Sequence, residues 1–167
     1  MQELKPAGTL NHVAYPTDDT AATVRFYTEL LGFRLVGAVE IEPDEPGRGP
    51  ALHTFFETGG GECIAFFDIA GLSRPAPDDL PAWVRHIAFN VDSYDELMAW
   101  KERLEGGGLP VAGPVDHEDG TWKSIYFQDP NEVTLEFTWQ GRQLDAGDAA
   151  AAQEAVRRWA GGGDKSQ

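Results

Sequence analysis

The sequence predicts an α+β fold made of two tandem βαβββ modules followed by a C-terminal helix. Two observations carry this. The chain is written twice, and each copy runs from a short apolar strand through one amphipathic helix into three further strands. The segment from Leu10, LNHVAYPTDDTAATVRFYTELLGF, lies over the segment from Val84, VRHIAFNVDSYDELMAWKERLEGG, at an offset of 74. His12 then falls on His86, Ala14 on Ala88, Tyr15 on Phe89 and Gly32 on Gly106. Further on, ALHTFFETGGGECIAFFD (from Ala51) is laid over TWKSIYFQDPNEVTLEFT (from Thr121) at an offset of 70. A period this long is a duplicated supersecondary unit and not a solenoid repeat.

The elements follow in order. The opening strands are expected at 12–15 and 86–91, and the helices near 19–31 and 93–105. Ser93 can cap the second helix while Glu96 reaches back to the entering chain. Val24, Tyr27 and Leu31 give the first helix its apolar face, and Leu97, Trp100 and Leu104 give the second its own. Gly32 and Gly106–Gly108 suit the left-handed backbone that ends a helix. Three strands follow in each copy, near 34–41, 51–57 and 62–68, then 109–115, 122–128 and 132–139. TGGG (58–61) and QDPN (128–131) read as the hairpin connectors. The expected organisation is a first module over 9–68, a Pro-rich linker over 69–83 and a second module over 84–140. A C-terminal segment over 141–167 follows, with an alanine-rich helix near 147–159 and a flexible end. EPDEPGRGP (42–50) reads as an exposed loop.

At 167 residues the chain can bury a sizeable core without staples, about 70% of its unfolded surface for a domain near this size. Thirteen basic residues stand against 28 acidic ones, a net charge of −15. That balance argues against nucleic acid and against anionic membrane surfaces, both of which require a basic footprint. The single Cys63 sits in the apolar run CIAFF, so it forms no intramolecular disulfide and reads as a small buried hydrophobe. The N-terminus lacks a basic-then-apolar leader pattern, and no apolar run is long enough for a bilayer. The expected location is the cytoplasm.

Four histidines are present: His12, His53, His86 and His117. His12 and His86 open the first strand of each copy, and pseudo-twofold symmetry is expected to point both into one concavity. Glu136 lies in VTLEF on the last strand, where a carboxylate between leucine and phenylalanine is costly unless something positive compensates it. Alternation puts Thr134, Glu136 and Thr138 on one face and Leu135 and Phe137 on the other. Its mate in the first copy, at the offset of 70, is Phe66. Two imidazoles and one carboxylate leave half an octahedron open, the arrangement of non-haem Fe(II) oxygenases. His117 lies in the polar loop VDHEDG. Tyr126 alternates with Ser124 and is expected on the Glu136 face. His53, set over Lys123, is expected on the opposite face and is read as a non-ligand.

The repeated βαβββ unit, its opening-strand histidines and the closing SIYFQDPNEVTLEF resemble the vicinal oxygen chelate superfamily over roughly residues 9–140. That superfamily includes glyoxalase I, fosfomycin-resistance proteins, methylmalonyl-CoA epimerase, type I extradiol dioxygenases and bleomycin-binding proteins. The resemblance implies two modules side by side, their mixed sheets curling around a shared metal-binding cavity. It also implies a divalent metal on His12, His86 and Glu136, with Fe(II) favoured over Mn(II), Zn(II) or Ni(II). Glyoxalases and epimerases take a fourth ligand from the last strand of the first copy, where Phe66 offers none. DHEDGTWKSIYFQDPNEVTLE (116–136) is similar to the extradiol signature, with His117, Ile125, Tyr126, Asp129, Pro130 and Glu136 in register. It departs from that signature at Glu132, where glycine is usual, and 70–83 lacks a histidine that extradiol enzymes carry.

The activity implied is extradiol cleavage of a catechol-like aromatic by dioxygen. His117 would act as acid/base, histidine being the side chain that ordinarily titrates near neutrality, and Tyr126 as a hydrogen-bond donor to a substrate oxygen. The alternatives are a metal-dependent isomerase or thiol transferase of the glyoxalase or fosfomycin-resistance kind, or a non-catalytic binding protein of the bleomycin-resistance kind. Homodimers are common among such proteins, and a homodimer is the partner state the resemblance suggests.

Overall fold

The structure, a computed structural model, describes residues 8–43, 49–72, 80–118 and 120–161. The centre of the expected 42–50 loop, most of the Pro-rich linker and the last residues of the tail lie outside the described residues. The first module runs β1 (His12–Pro16), α1 (Thr20–Arg25), β2 (Arg34–Ile41), β3 (Ala51–Glu57) and β4 (Cys63–Ile69). The second runs β5 (His86–Asn90), α2 (Tyr94–Gly106), β6 (Ala112–Asp116), β7 (Trp122–Gln128) and β8 (Thr134–Gln140), and α3 (Ala146–Ala160) closes the chain. Each module forms a four-stranded mixed sheet, in the orders β1-β4-β3-β2 and β5-β8-β7-β6, with the first strand parallel to the last. This is the expected α+β arrangement, and neither sheet closes into a barrel.

Local chemistry sets the boundaries. Asp19 caps α1 by accepting from the Ala22 N–H at 2.8 Å. Ser93 caps α2, while the Glu96 carboxylate accepts from the Asp92 N–H at 2.8 Å, one residue further out than a capping box requires. At Phe26–Leu30, α1 widens into a π turn. The last carbonyls of that turn, on Glu29 and Leu30, accept from the Arg103 guanidinium at 3.1 and 2.8 Å. The second module thus satisfies helix-end acceptors of the first, groups that lack an intrahelical partner.

One apolar core serves both modules, joining Tyr27, Leu31, Phe56, Ile64 and Phe66 to Leu97, Leu104, Ile125, Leu135 and Phe137. Strand alternation decides which face each sheet gives to it. In β1, Val13 and Tyr15 pack against the core while His12, Ala14 and Pro16 are exposed. In β5, Ile87 and Phe89 pack inward while His86, Ala88 and Asn90 are exposed. Each sheet therefore has one core face and one open face, and both strand-opening histidines stand on the open one.

The strands correct the alignment of the two copies. Ala51–Glu57 answers Trp122–Gln128 and Cys63–Ile69 answers Thr134–Gln140, an offset of 71 and not 70. Ala14 pairs with Ala65 as Ala88 pairs with Glu136. The mate of Glu136 is thus Ala65, while Phe66 is a fully buried core residue matching Phe137. A slip of one residue exchanges the two faces of a strand. Ala65, like Phe66, has no side-chain atom that can bind a metal. The same correction moves His53 onto the Ser124 position, so it shares the open face with His12.

Candidate functional site

The second module brings four of the expected site residues together on its open face. β5 carries His86, and β8, hydrogen-bonded beside it, carries Glu136. The His86 Nε2 lies 2.8 Å from Glu136 Oε2. Glu136 is only 5% exposed, which makes this a carboxylate withdrawn from water that faces an imidazole. On the other side of β8, Tyr126 pairs directly across from Glu136 and Ser124 across from Thr138. The His86 and Tyr126 rings meet edge to face at 5.8 Å between centroids. His117, at the end of β6, places Nε2 3.1 Å from the Tyr126 hydroxyl. Burial first, and then the Glu136 charge, push the Tyr126 hydroxyl above its ordinary pKa, so it remains a donor at neutral pH.

Both strand-opening histidines are oriented by an oxygen on Nδ1. His86 Nδ1 lies 2.9 Å from the Trp83 carbonyl, in the 3-10 turn Ala82–Val84 that precedes β5. His12 Nδ1 lies 2.6 Å from the Asn11 side-chain oxygen. A carbonyl oxygen can only accept, so each Nδ1 donates to its oxygen, and this leaves His86 Nε2 to face Glu136. Metal-binding histidines are held in this way, with the second ring nitrogen donating to a backbone or side-chain oxygen. No residue pattern announces this contact, because a backbone carbonyl acceptor leaves no residue signature.

His12 does not meet His86 and Glu136 within this chain. Its ring lies against those of His53 and Phe55, at 6.1 and 5.4 Å between centroids, on the open face of the first sheet. Among the described residues no three His, Cys, Asp or Glu side chains converge as a metal site. The expectation that symmetry would bring His12 and His86 into one concavity of a single chain is corrected accordingly. The two modules are fastened through their core-facing elements: Tyr27 bonds to Asp129 and the Phe33 ring packs against Phe89. Each histidine lies on the opposite face of its own sheet.

His53 is stacked on Phe55 and packed against Phe67, at 4.2 and 3.6 Å between centroids. Its buried Nε2 has no hydrogen-bond partner among the described residues. Burial and then the neighbouring His12 lower its pKa. Strand alternation alone would have placed His53 here, had the copies been aligned on their hairpins, which have equal length.

The His86–Glu136 pair suits a divalent cation, since imidazole nitrogen and carboxylate oxygen are ligands for first-row metals. No helix among the described residues is long and apolar enough to cross a membrane.

The chain is 28% identical over 156 residues to an iron-dependent extradiol dioxygenase of Rhodococcus jostii (strain RHA1), an alignment covering 90% of this chain and 49% of that one. It is 24% identical over 151 residues to a biphenyl-2,3-diol 1,2-dioxygenase of Pseudomonas sp. (strain KKS102), covering 90% of this chain and 48% of the other. The chain thus spans about half the length of these curated relatives. Its fold is shared with a fosfomycin resistance protein of Listeria monocytogenes, with a TM-score of 0.57, 20% identity, and coverage of 80% of this chain and 93% of that one. Residues 9–137 match the model of one protein family, and the chain belongs to that family, the Glyoxalase/Bleomycin resistance protein/Dioxygenase superfamily.

Proposed function

We propose that the protein is a metal-dependent ring-cleaving dioxygenase of the extradiol type, acting on a catechol-like aromatic with Fe(II) as its metal. The observation that carries this reading is the open face of the second sheet. There a buried carboxylate meets an imidazole at 2.8 Å, with the Tyr126–His117 pair coupled beside it at 3.1 Å. The names of the two dioxygenase relatives point the same way.

His86 and Glu136 are two of the metal ligands, and His12 is the third. Within one chain His12 stands on the other open face, so a second copy supplies it when the first sheet of one copy lies over the second sheet of the other. The metal, when bound, supplies the Lewis acidity that ionises adjacent hydroxyls and the redox capacity that dioxygen chemistry requires. Everything else falls to the chain. Tyr126 donates a hydrogen bond to a substrate oxygen and fixes the plane of the ring. His117 Nε2, within reach of the Tyr126 hydroxyl, accepts a proton from the substrate hydroxyl and returns it to the product. Phe55 and Phe67, on the open face of the first sheet, give an apolar wall for a flat ring.

The test is anaerobic Fe(II) loading followed by a panel of catechols in air, read by oxygen uptake and by the yellow colour of ring-fission products. Uptake of one dioxygen per colour-forming turnover is expected. A protein that retains iron yet consumes no oxygen with any catechol would overturn the dioxygenase reading.

A further inference from the structure

Arg142 belongs to none of the residues used above, yet it joins the C-terminal helix to the loop that carries His117. Its guanidinium grips two carboxylates at once. Nε and Nη2 donate to Glu118 Oε2 and Oε1 at 3.1 and 2.6 Å. Nη1 and Nη2 donate to Asp148 Oδ2 and Oδ1 at 2.7 and 2.8 Å. Both contacts are two-point, a geometry that the planar arginine fork can make and a lysine cannot.

The two ends of this clamp differ in what they hold. Asp148 is part of the first turn of α3: it accepts from the Asp145 N–H at 2.7 Å, while Asp145 caps the Gly147 and Asp148 N–H groups in return. None of the residues of α3 is buried. The helix therefore adds little to the core, and its first turn serves as the anchor for Arg142. Glu118 is the residue after His117. On the other flank, the Asp116 carboxylate accepts from the Glu118 and Gly120 N–H groups and from Lys123 Nζ. The His117 N–H itself donates to the Trp122 carbonyl at 2.8 Å. The imidazole is thus carried on a short loop held at both ends, and Arg142 holds the end away from the sheet.

We propose that Arg142, anchored by the first turn of α3, is a positioning residue that keeps the His117 imidazole against the Tyr126 hydroxyl. This rests on the reading of His117 as the acid/base of the site. The ion pairs are partly exposed, so their own contribution to stability is small. Their effect is geometric: displacing a reacting group by about 1 Å can cost roughly 100-fold in rate.

The experiment compares wild type with Arg142→Ala and Arg142→Lys. It reads the His117 side-chain resonances of the metal-free protein, hydrogen exchange over 116–122, iron retention, and kcat and KM on a cleaved catechol. Arg142→Ala is expected to shift the His117 resonances, speed exchange in the loop and leave iron retention unchanged. It should lower kcat about 10- to 100-fold with KM nearly constant, and Arg142→Lys should restore only part of the loss. Glu118→Ala, which leaves the helix cap and the Arg142–Asp148 pair in place, should repeat the effect if Arg142→Ala fails to fold. Unshifted His117 resonances and wild-type exchange would overturn the proposal, as would a shifted imidazole with undiminished kcat. A wild-type protein that binds iron but cleaves no catechol would sink the dioxygenase reading instead, and the resonances would still decide whether Arg142 places His117.

Discussion

The Tyr27 hydroxyl donates to the Asp129 carboxylate at 2.9 Å, linking residues 102 positions apart. Asp129 is also the keystone of the β7–β8 hairpin, accepting from the Asn131 and Val133 N–H groups at 2.8 Å each. The acidic residue of the QDPN turn thus serves the architecture: it shapes the turn that presents Glu136 and fastens it to the helix of the other module. Tyr27→Phe removes one donor from this buried carboxylate and should cost about 1–3 kcal/mol, measured by urea unfolding.

Two carboxylates give opposite pH signatures. Burial holds Asp129 above its ordinary 3.8, despite the hydrogen bonds that pull it down. Its contribution is full below that value and is lost as pH rises through the folded pKa. Hydrogen bonds from Arg142 and then from the Asp145 N–H hold Asp148 down to about 2. Its contribution is full above pH 3.8 and is lost as pH falls toward that lower value. Stability curves of wild type and Asp148→Asn should converge as pH drops from about 4 to 2, and curves that stay parallel would contradict the clamp.

Glu132 adopts φ +64°, a left-handed backbone, at the end of the same hairpin. This is the position where the family signature has glycine, and the geometry gives the reason. A side chain there is disfavoured by about 1–2 kcal/mol, partly offset by the greater chain entropy of glycine in the unfolded state. Glu132→Gly should therefore stabilise the protein by about 0.5–1 kcal/mol, read as a raised urea midpoint with unchanged slope.

The proposed completion of the site by a second copy is open to a complementation experiment. His12→Ala and Glu136→Ala should each be inactive alone. Unfolded together and refolded, they should recover about a quarter of wild-type activity, because half of a random mixture is mixed dimer with one of its two sites intact. If the two variants never complement, His12 and Glu136 act within one chain or not at all.

The proposed ligands and the proposed proton carrier should separate cleanly. Glu136→Ala should abolish iron retention, measured by elemental analysis after desalting. His117→Ala should retain the iron and lose turnover about 100- to 10,000-fold. Equal iron loss in both would remove His117 from its assigned role.

The duplication, the βαβββ grammar and the shared face of Tyr126 and Glu136 were legible in the sequence because they follow from short-range rules. Apolar alternation marks strands, a 3.6-residue period marks helices, and Asp19, Ser93 and the glycines punctuate them. Registers were legible only to within one residue. Only the strand ends around the two equal hairpins fix the offset at 71, and a slip of one exchanged Phe66 for Ala65 and hid His53. Tertiary structure decided the rest. It placed His12 and His86 on the open faces of two sheets joined through their other faces, and it lent the Trp83 carbonyl to orient His86. It also tied His117 to α3 through Arg142. These are contacts between segments far apart in the chain, and such contacts depend on how core faces pack, which local residue patterns do not encode.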